Sequence, residues 1–323
     1  MSFNNIGIVI IGRNEGQRLI DCLDSIPNDI EHRVYVDSDS SDNSVANARE
    51  CGCEVLELDL SIPFTAGRAR NEGFQLLTQS NPHLEYVQFI DGDCTTNLNW
   101  FLKALERLES SEELAIVCGR RKEKFPKRTI YNQLCDIEWN TPVGIASESG
   151  GDFLIKKDVF KNVGGFNPVV IAGEEPEMCF RIRELGHTIE RIDELMTEHD
   201  ANMTSIKQWW KRTLRCGHAY AEGFYRHGNS EERYNKRPTI SALIWFSFLP
   251  IFLLMSVITP WSLLLFLIFP LQVVRLWLKN TDKPKAFSYA LFLVLGKIPE
   301  AFGIMKFYSS KLLNKERTII EYK

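Results

Sequence analysis

The chain reads as an α/β protein: a doubly wound, mostly parallel sheet followed by membrane-associated C-terminal helices. Three observations predict this. Over roughly the first 230 residues, short continuous apolar runs alternate with amphipathic stretches, the pattern of strands covered by helices on both faces. Several of those runs end abruptly in clusters of Asp, Asn and Ser. From Pro238 to Val274 there is no charged residue at all.

The elements follow in order. "IGIVIIG" (6–12) is the continuous apolar run of a buried strand. A helix is expected from Gln17 to Ile26. "RVYVD" (33–37) is the next strand, and Ser41 or Asp42 can cap a helix that Gly52 ends. "CEVLEL" is a third strand, followed by a helix from Ala66 to Thr78 and the strand "YVQFID" (86–91). "NWFLKALERL" is a helix and "LAIVCG" a strand. In "AGEEPEMCFRIRELG" (172–186), Pro176 suits the first helical position, Glu175 the N-cap, and Gly186 the stop. Met178, Ile182 and Leu185 recur at helical spacing and are expected to face the core. "TIERID" is a further strand.

The charge-free stretch would be roughly 55 Å long as one helix, more than a bilayer core needs. Thr259-Pro260 splits it into two halves, each near the short end of a membrane span. Arg233, Lys236 and Arg237 flank the first half; Arg275, Lys279, Lys283 and Lys285 flank the second. Basic residues on both sides favour a hairpin with both ends in the cytoplasm. A pair of helices buried in a soluble core is the alternative. A third apolar stretch, "AFSYALFLVLGKIPEAFGIM", carries Lys297 and Glu300 in its middle and reads as a helix lying at the interface. The expected organisation is a catalytic domain over 1–230, a transmembrane hairpin over 238–280, and an interfacial helix with a basic tail over 284–323.

Bulk properties narrow the classes. The 323 residues carry a net charge of -4, with no basic stripe for nucleic acid. Eight cysteines show no zinc-site spacing and read as reduced thiols. "MSFNNIGIVIIG" lacks the basic region and cleavage site of a signal peptide. The expected location is the inner membrane, with the catalytic domain facing the cytoplasm.

In parallel sheets, ligands bind outside the carboxyl ends of the strands. Asp91-Gly92-Asp93 sits at such an end, as do "GRNE" (12–15) and "DSDSSD" (37–42). Each cluster alone can be ordinary turn chemistry; three at successive strand ends point to one cleft. Paired carboxylates suit Mg²⁺ or Mn²⁺ held together with substrate phosphates. The chemistry this implies is displacement of a nucleoside diphosphate. Glu174 and Glu175 stand at a helix start, where the macrodipole favours their ionised form, so Glu175 can serve as a general base. His199 can complete a metal shell.

These motifs resemble the inverting family 2 glycosyltransferases, which have the Rossmann-like GT-A fold. The resemblance covers roughly residues 5 to 225. "IVIIGRNE", "VDSDSSDNS", "AGRARNEGF", "DGDC", "GGDFLIKKDVFKNVGGFNP" and "GEEPEMCFRIRELG" follow the family's order. The resemblance implies roles. Arg13, Glu15, Asp37, Arg70, Asp91 and Gly92 would lie around the nucleotide sugar. Asp93 would bind the metal, with Asp91 and His199 as further ligands. Glu175 falls where the family places its base. Gly151, Asp152 and Glu174 would line the acceptor side. Two departures stand out: the base position is Glu rather than the usual Asp, and Ser38 replaces a common second Asp. The processive members' Gln-x-x-Arg-Trp signature is absent, so single-sugar addition is expected. The implied donor is a nucleotide sugar, with UDP favoured, and the acceptor a glycan or a lipid-linked molecule. Two other classes remain open: a nucleotidyltransferase, although "IGRNEGQR" is no Gly-rich loop, and a non-catalytic membrane scaffold.

Overall fold

Val9 and Ile10 sit in the middle of an apolar run with no polar face, and a strand of that kind must be covered on both sides. The computed structural model, which describes residues 3–63 and 65–313, places that run at the centre of a nine-stranded sheet. The strands are β1 (Ile6–Gly12), β2 (His32–Asp37), β3 (Glu54–Glu57), β4 (Tyr86–Asp91), β5 (Cys94–Thr96), β6 (Leu114–Glu123), β7 (Gly144–Ile145), β8 (Phe153–Lys156) and β9 (Thr188–His199). Their order is β3-β2-β1-β4-β8-β6-β9-β5, with β7 paired to β9. β1, β2, β3 and β4 run parallel, as do β6 and β9. β8 is an antiparallel insertion between β4 and β6. The sheet is therefore mixed and mostly parallel.

Eight helices accompany these strands in sequence: α1 (Gln17–Asp24), α2 (Ser44–Glu50), α3 (Ala66–Ser80), α4 (Trp100–Glu109), α5 (Ile130–Trp139), α6 (Lys157–Asn162), α7 (Glu174–Glu184) and α8 (Ile206–His227). α1 stops at Asp24, two residues before the expected Ile26. The N-cap of α2 is Asn43, with no side-chain cap bond, rather than Ser41 or Asp42, although Asp42 Oδ1 accepts the Ser44 N–H at 2.9 Å from just outside the cap. α7 begins at Glu174, so Pro176 lies inside its first turn and Glu175 is not the cap. Leu185 is 57% exposed rather than in the core, because the helix has ended there.

Two compact units emerge. The first lies within Met1–Phe125, Glu138–Val170 and Glu174–Ala201, and holds the whole sheet. Ile6, Ile8, Val9, Val87, Phe89 and Phe153 are fully buried in its core.

The second lies within Pro126–Ile137, Ile171–Gly173 and Asn202–Lys323. α8 opens it with a capping box, in which the Ser205 hydroxyl accepts from Gln208 N and the Gln208 side chain returns to Ser205. Four further helices follow: α9 (Lys236–Ile258), α10 (Ile268–Lys279), α11 (Ala286–Leu295) and α12 (Lys297–Leu312). A 3₁₀ stretch, Pro260–Leu267, joins α9 to α10. The third apolar stretch is thus two helices that meet at Gly296. α12 packs on α8 through glycines: a Cβ at Gly303 would come within 2.0 Å of the Leu214 carbonyl, and one at Gly217 within 2.0 Å of the Glu300 carbonyl. Ala221, Ala242, Ile304 and Phe307 form a buried cluster here. Two helical stretches, Lys236–Ile258 and Pro260–Lys279, are long and apolar enough to cross a membrane, and only 11% of each apolar window is buried. Leu254, Val257, Ile258 and Trp261 are 70–86% exposed, an apolar surface that the described residues leave uncovered. By length and composition these helices point weakly to membrane association. The basic tail with Lys315 and Arg317 lies outside the described residues.

Candidate active site

Register brings the polar strand ends together. Gly12 pairs with Asp37, and Ile11 with Asp91, so the first, second and fourth strands finish side by side. Gly92 N then donates to the Ile11 carbonyl at 2.8 Å, and a Cβ at Gly92 would press on that same oxygen at 3.2 Å. The tight crossing holds Asp91 and Asp93 at the mouth of the sheet.

Asp91 is the hub. Its Oδ1 receives Arg70 Nη2 at 2.7 Å and its Oδ2 receives Arg121 Nη2 at 3.0 Å. Burial alone would raise this carboxyl; the guanidiniums of Arg70 and Arg121 outweigh it and hold Asp91 at about 2. Asp152, fully buried, accepts the Asp91 N–H at 3.1 Å and the Thr197 hydroxyl at 2.7 Å. Arg70 also reaches Glu174 at 3.4 Å. One buried arginine thereby ties the end of β4 to the start of α7. A Cβ at Gly151 would lie 2.6 Å from Arg121 Nη1 and 3.0 Å from Asp91 Oδ2, so the chain passes hard against this cluster.

β9 runs on past "TIERID" to His199, where it pairs antiparallel with β5 and sets His199 opposite Cys94. The imidazole Nε2 lies 3.1 Å from Asp93 Oδ2. Trp139 stacks on the ring at 4.9 Å and also carries Arg121 over its face at 5.2 Å. Register shifts between β6 and β9 flank Arg120 and aim Arg121 at this spot. Arg121 Nε and Nη2 lie 3.1 and 2.8 Å from His199 Nδ1. A guanidinium only donates, so Nδ1 accepts and the Nε2 proton faces Asp93.

Ligand atoms of Asp93, Cys94 and His199 lie within 4.8 Å of one another, as do those of Asp91, Cys94 and Asp152. Carboxylate oxygens with one imidazole suit Mn²⁺ or Mg²⁺. Cys94 is the donor these hard cations favour least, since Mg²⁺ and Mn²⁺ prefer oxygen to sulfur; burial, with the charge of Asp152, pushes its thiol well up. His199 can offer Nε2 only in the other tautomer, which requires the Arg121 donor to turn away from Nδ1. The geometry thus brings Asp93 together with His199, and Asp91 together with Asp152, and His199 fits an ion only conditionally.

Glu175 is 6% exposed. Its Oε1 accepts three hydrogen bonds: Ser149 N at 2.7 Å, Ser149 Oγ at 2.6 Å and Cys179 Sγ at 2.9 Å. Oε2 receives none among the described residues. The place of Glu175 in the first turn of a helix, where the dipole favours a negative charge, predicts ionisation. Instead, burial and then the Glu148 charge outweigh these hydrogen bonds and raise the carboxyl to about 7. A carboxylate at that value is half ionised near neutrality, which suits proton abstraction.

The remaining candidates sit around this centre. Glu15 pairs with Arg18 at 2.7 Å, and Arg18 approaches Asp93 at 3.9 Å. Asp37 is buried, with Oδ1 taken by the Tyr35 hydroxyl and Oδ2 by Ser40 N, so it shapes the turn that follows β2. Arg13 lies on the exposed rim near Asp39. Arg121, Ser149, Cys179, Trp139 and Thr197 were missed. Each is an ordinary residue in its local sequence, and only strand register or chain crossing brings it in. Ser149 alone had a faint signal, standing just before the quoted "GGDF" segment.

The family model described as glycosyl transferase family 2 matches residues 7–166. A segment of 137 residues is 26% identical to a TPR repeat-containing protein of Synechococcus elongatus, covering 42% of this chain and 32% of that one. A segment of 246 residues is 24% identical to the pre-mycofactocin glycosyltransferase of Mycobacterium tuberculosis, covering 70% and 49%. The matches thus span about a third and about half of these curated relatives. The fold is similar to that of a mannosyltransferase from Pyrobaculum calidifontis solved in complex with GDP-Man and Mn²⁺. That likeness has a TM-score of 0.62 at 15% identity, over 93% of this chain and 87% of the other.

Proposed function

Because the chain carries a family 2 glycosyltransferase domain with the GT-A fold, we propose that it is an inverting transferase that moves one sugar from a nucleotide sugar to a hydroxyl of a glycan or lipid-linked acceptor. The observation that carries the reading is Arg70, which joins the paired acids at the end of β4 to the carboxylates that open α7. Donor and base groups are thereby held in one site.

Glu175 Oε2 takes the proton from the acceptor hydroxyl as that oxygen bonds to the anomeric carbon. The bond from that carbon to the diphosphate breaks on the opposite face, so the configuration inverts. Arg70 and Arg121, held by Asp91, place positive charge where the departing diphosphate gathers its negative charge. Asp93 and Asp91 would hold Mg²⁺ or Mn²⁺, which supplies further charge neutralisation for the leaving group when bound. The glycine at 151 and the buried Asp152 keep that cluster rigid beside the acceptor side. The two apolar helices would attach the protein to the inner membrane, with the catalytic domain on the cytoplasmic face.

A donor panel tests this. Full-length protein in detergent is given UDP-, GDP- and dTDP-sugars with and without Mn²⁺, with lipid extract as acceptor, beside Asp93→Ala. Metal-dependent release of one nucleotide, lost in the variant, is the expected result. Neither release nor metal-dependent nucleotide binding with any donor would refute the transferase and leave the scaffold. Separately, release of the protein from membranes by an alkaline wash would refute the membrane-spanning part.

A further inference from the structure

Three cationic side chains gather around the start of α9, with one acidic neighbour, Glu232. Arg233, Lys236 and Arg237 line a cavity of about 590 Å³ whose far wall is Ile240, Ile244 and Trp245, with Glu232 on its rim. Among the described residues, none of the three cationic side chains makes an ion pair or a hydrogen bond. Trp245 also lines a second cavity of about 410 Å³, walled by Leu249, Phe269, Val273, Phe287 and Leu291. Its lining is otherwise aliphatic and aromatic, with Lys297 as the single charged member. A cationic basin and an apolar slot thus share one tryptophan wall.

We propose that this is a seat for one anionic phospholipid. The phosphate-bearing headgroup would lie among Arg233, Lys236 and Arg237, and an acyl chain would run past Trp245 into the apolar slot. The chemistry favours this occupant on both counts. A phosphate oxygen is a strong acceptor for guanidinium and ammonium donors, whose stems are at home against hydrocarbon. The indole belongs where headgroup meets chain. An acidic peptide would satisfy the basin, but it would leave the slot without a hydrocarbon partner. The inference rests on the membrane reading above and goes beyond it, because it names a site rather than a surface.

Full-length protein is diluted from detergent into vesicles of phosphatidylcholine alone, or with about a third phosphatidylglycerol, and bound protein is recovered by flotation. Wild type is expected to prefer the anionic vesicles. The triple variant Arg233→Ala, Lys236→Ala, Arg237→Ala should lose that preference by on the order of 1,000-fold or more, about fivefold per cation from surface attraction and at least a further tenfold or so from hydrogen bonds made directly to the phosphate, while still binding neutral vesicles. Arg233→Lys with Arg237→Lys should retain most of it. Arg275→Ala, Lys279→Ala, Lys283→Ala removes as many cations outside the cavity and should lose only the surface share, on the order of 100-fold.

Equal losses in the two triple variants would reduce the effect to diffuse surface charge and overturn the seat. Wild type that floats equally with both vesicle types would overturn the seat while the membrane reading stands. Failure to float with either would overturn the membrane reading itself. Displacement of bound phosphatidylglycerol by equimolar polyprenyl phosphate would reassign the cavity to a lipid-linked acceptor and overturn the phospholipid.

Discussion

Ser149→Ala should move the acid limb of the pH–rate profile upward. Ser149 Oγ sits 2.6 Å from Glu175 Oε1 and stabilises the ionised form. A hydrogen bond to a charged group contributes about 1.5–3 kcal/mol, which corresponds to about 1–2 pKa units. The limb should therefore rise from about 7 to roughly 8–9. At pH 7 the ionised fraction falls from about one half to between about a tenth and a hundredth, so turnover drops roughly 5- to 50-fold. At high pH it recovers, because the ionised base is intact. The assay is nucleotide release at saturating donor and acceptor across the pH range. Glu148→Gln is the opposite control: it removes a repulsive charge and should lower the limb. A Ser149→Ala profile that is uniformly low with an unmoved limb would refute the reasoning, since it would mean loss of shape rather than of proton affinity. So would an unmoved limb in Glu148→Gln.

Other consequences can be checked independently. Glu175→Gln should lower turnover about 10²–10⁴-fold with donor binding kept. It should also stabilise the fold at pH 8. A carboxyl raised from 4.5 to about 7 binds more protons folded than unfolded, so its contribution falls as pH rises through that window, by up to about 3 kcal/mol. Equal melting temperatures of the two proteins at pH 8 and a gap at pH 5 would contradict this. Gly151→Ala forces Arg121 off Asp91; calorimetry should show weakened nucleotide binding, and turnover should fall on the order of 100-fold, with little change in melting temperature. Gly303→Leu drives a side chain into the Leu214 carbonyl and should destabilise the second unit by about 3 kcal/mol or more in a thermal melt, with nucleotide binding intact.

The alternation of apolar strands and helices was legible because a strand covered on both faces has no polar positions to hide it. β1, β2 and β4 were found this way. β8 was not: its four residues, "FLIK", carry too little pattern, and its antiparallel place between β4 and β6 depends on long-range pairing. β9 was cut short because its polar second half looks like a loop in isolation. That α8 packs with α12 has no local signature either, since helical spacing names a buried face without naming its partner.

The carboxylates were visible in the sequence for a related reason. Asp91 and Asp93 end an apolar run that local physics would otherwise extend, and Glu175 stands in the first turn of a helix; charge at the end of an apolar strand demands an external partner. Type and spacing thus determined the fold class and marked the strand ends at which the candidate acids gather. Their protonation states were decided only by the tertiary structure. Asp91 and Glu175 are both carboxyls with similar intrinsic affinities for a proton. One is held at about 2 because two guanidiniums meet it, the other near 7 because burial and a neighbouring acid outweigh its hydrogen bonds. Those groups come from α3, β6 and the segments before and within α7. A proton's free energy depends on charges and solvent within a few ångströms, whatever their separation along the chain, and that proximity exists only once the chain has folded.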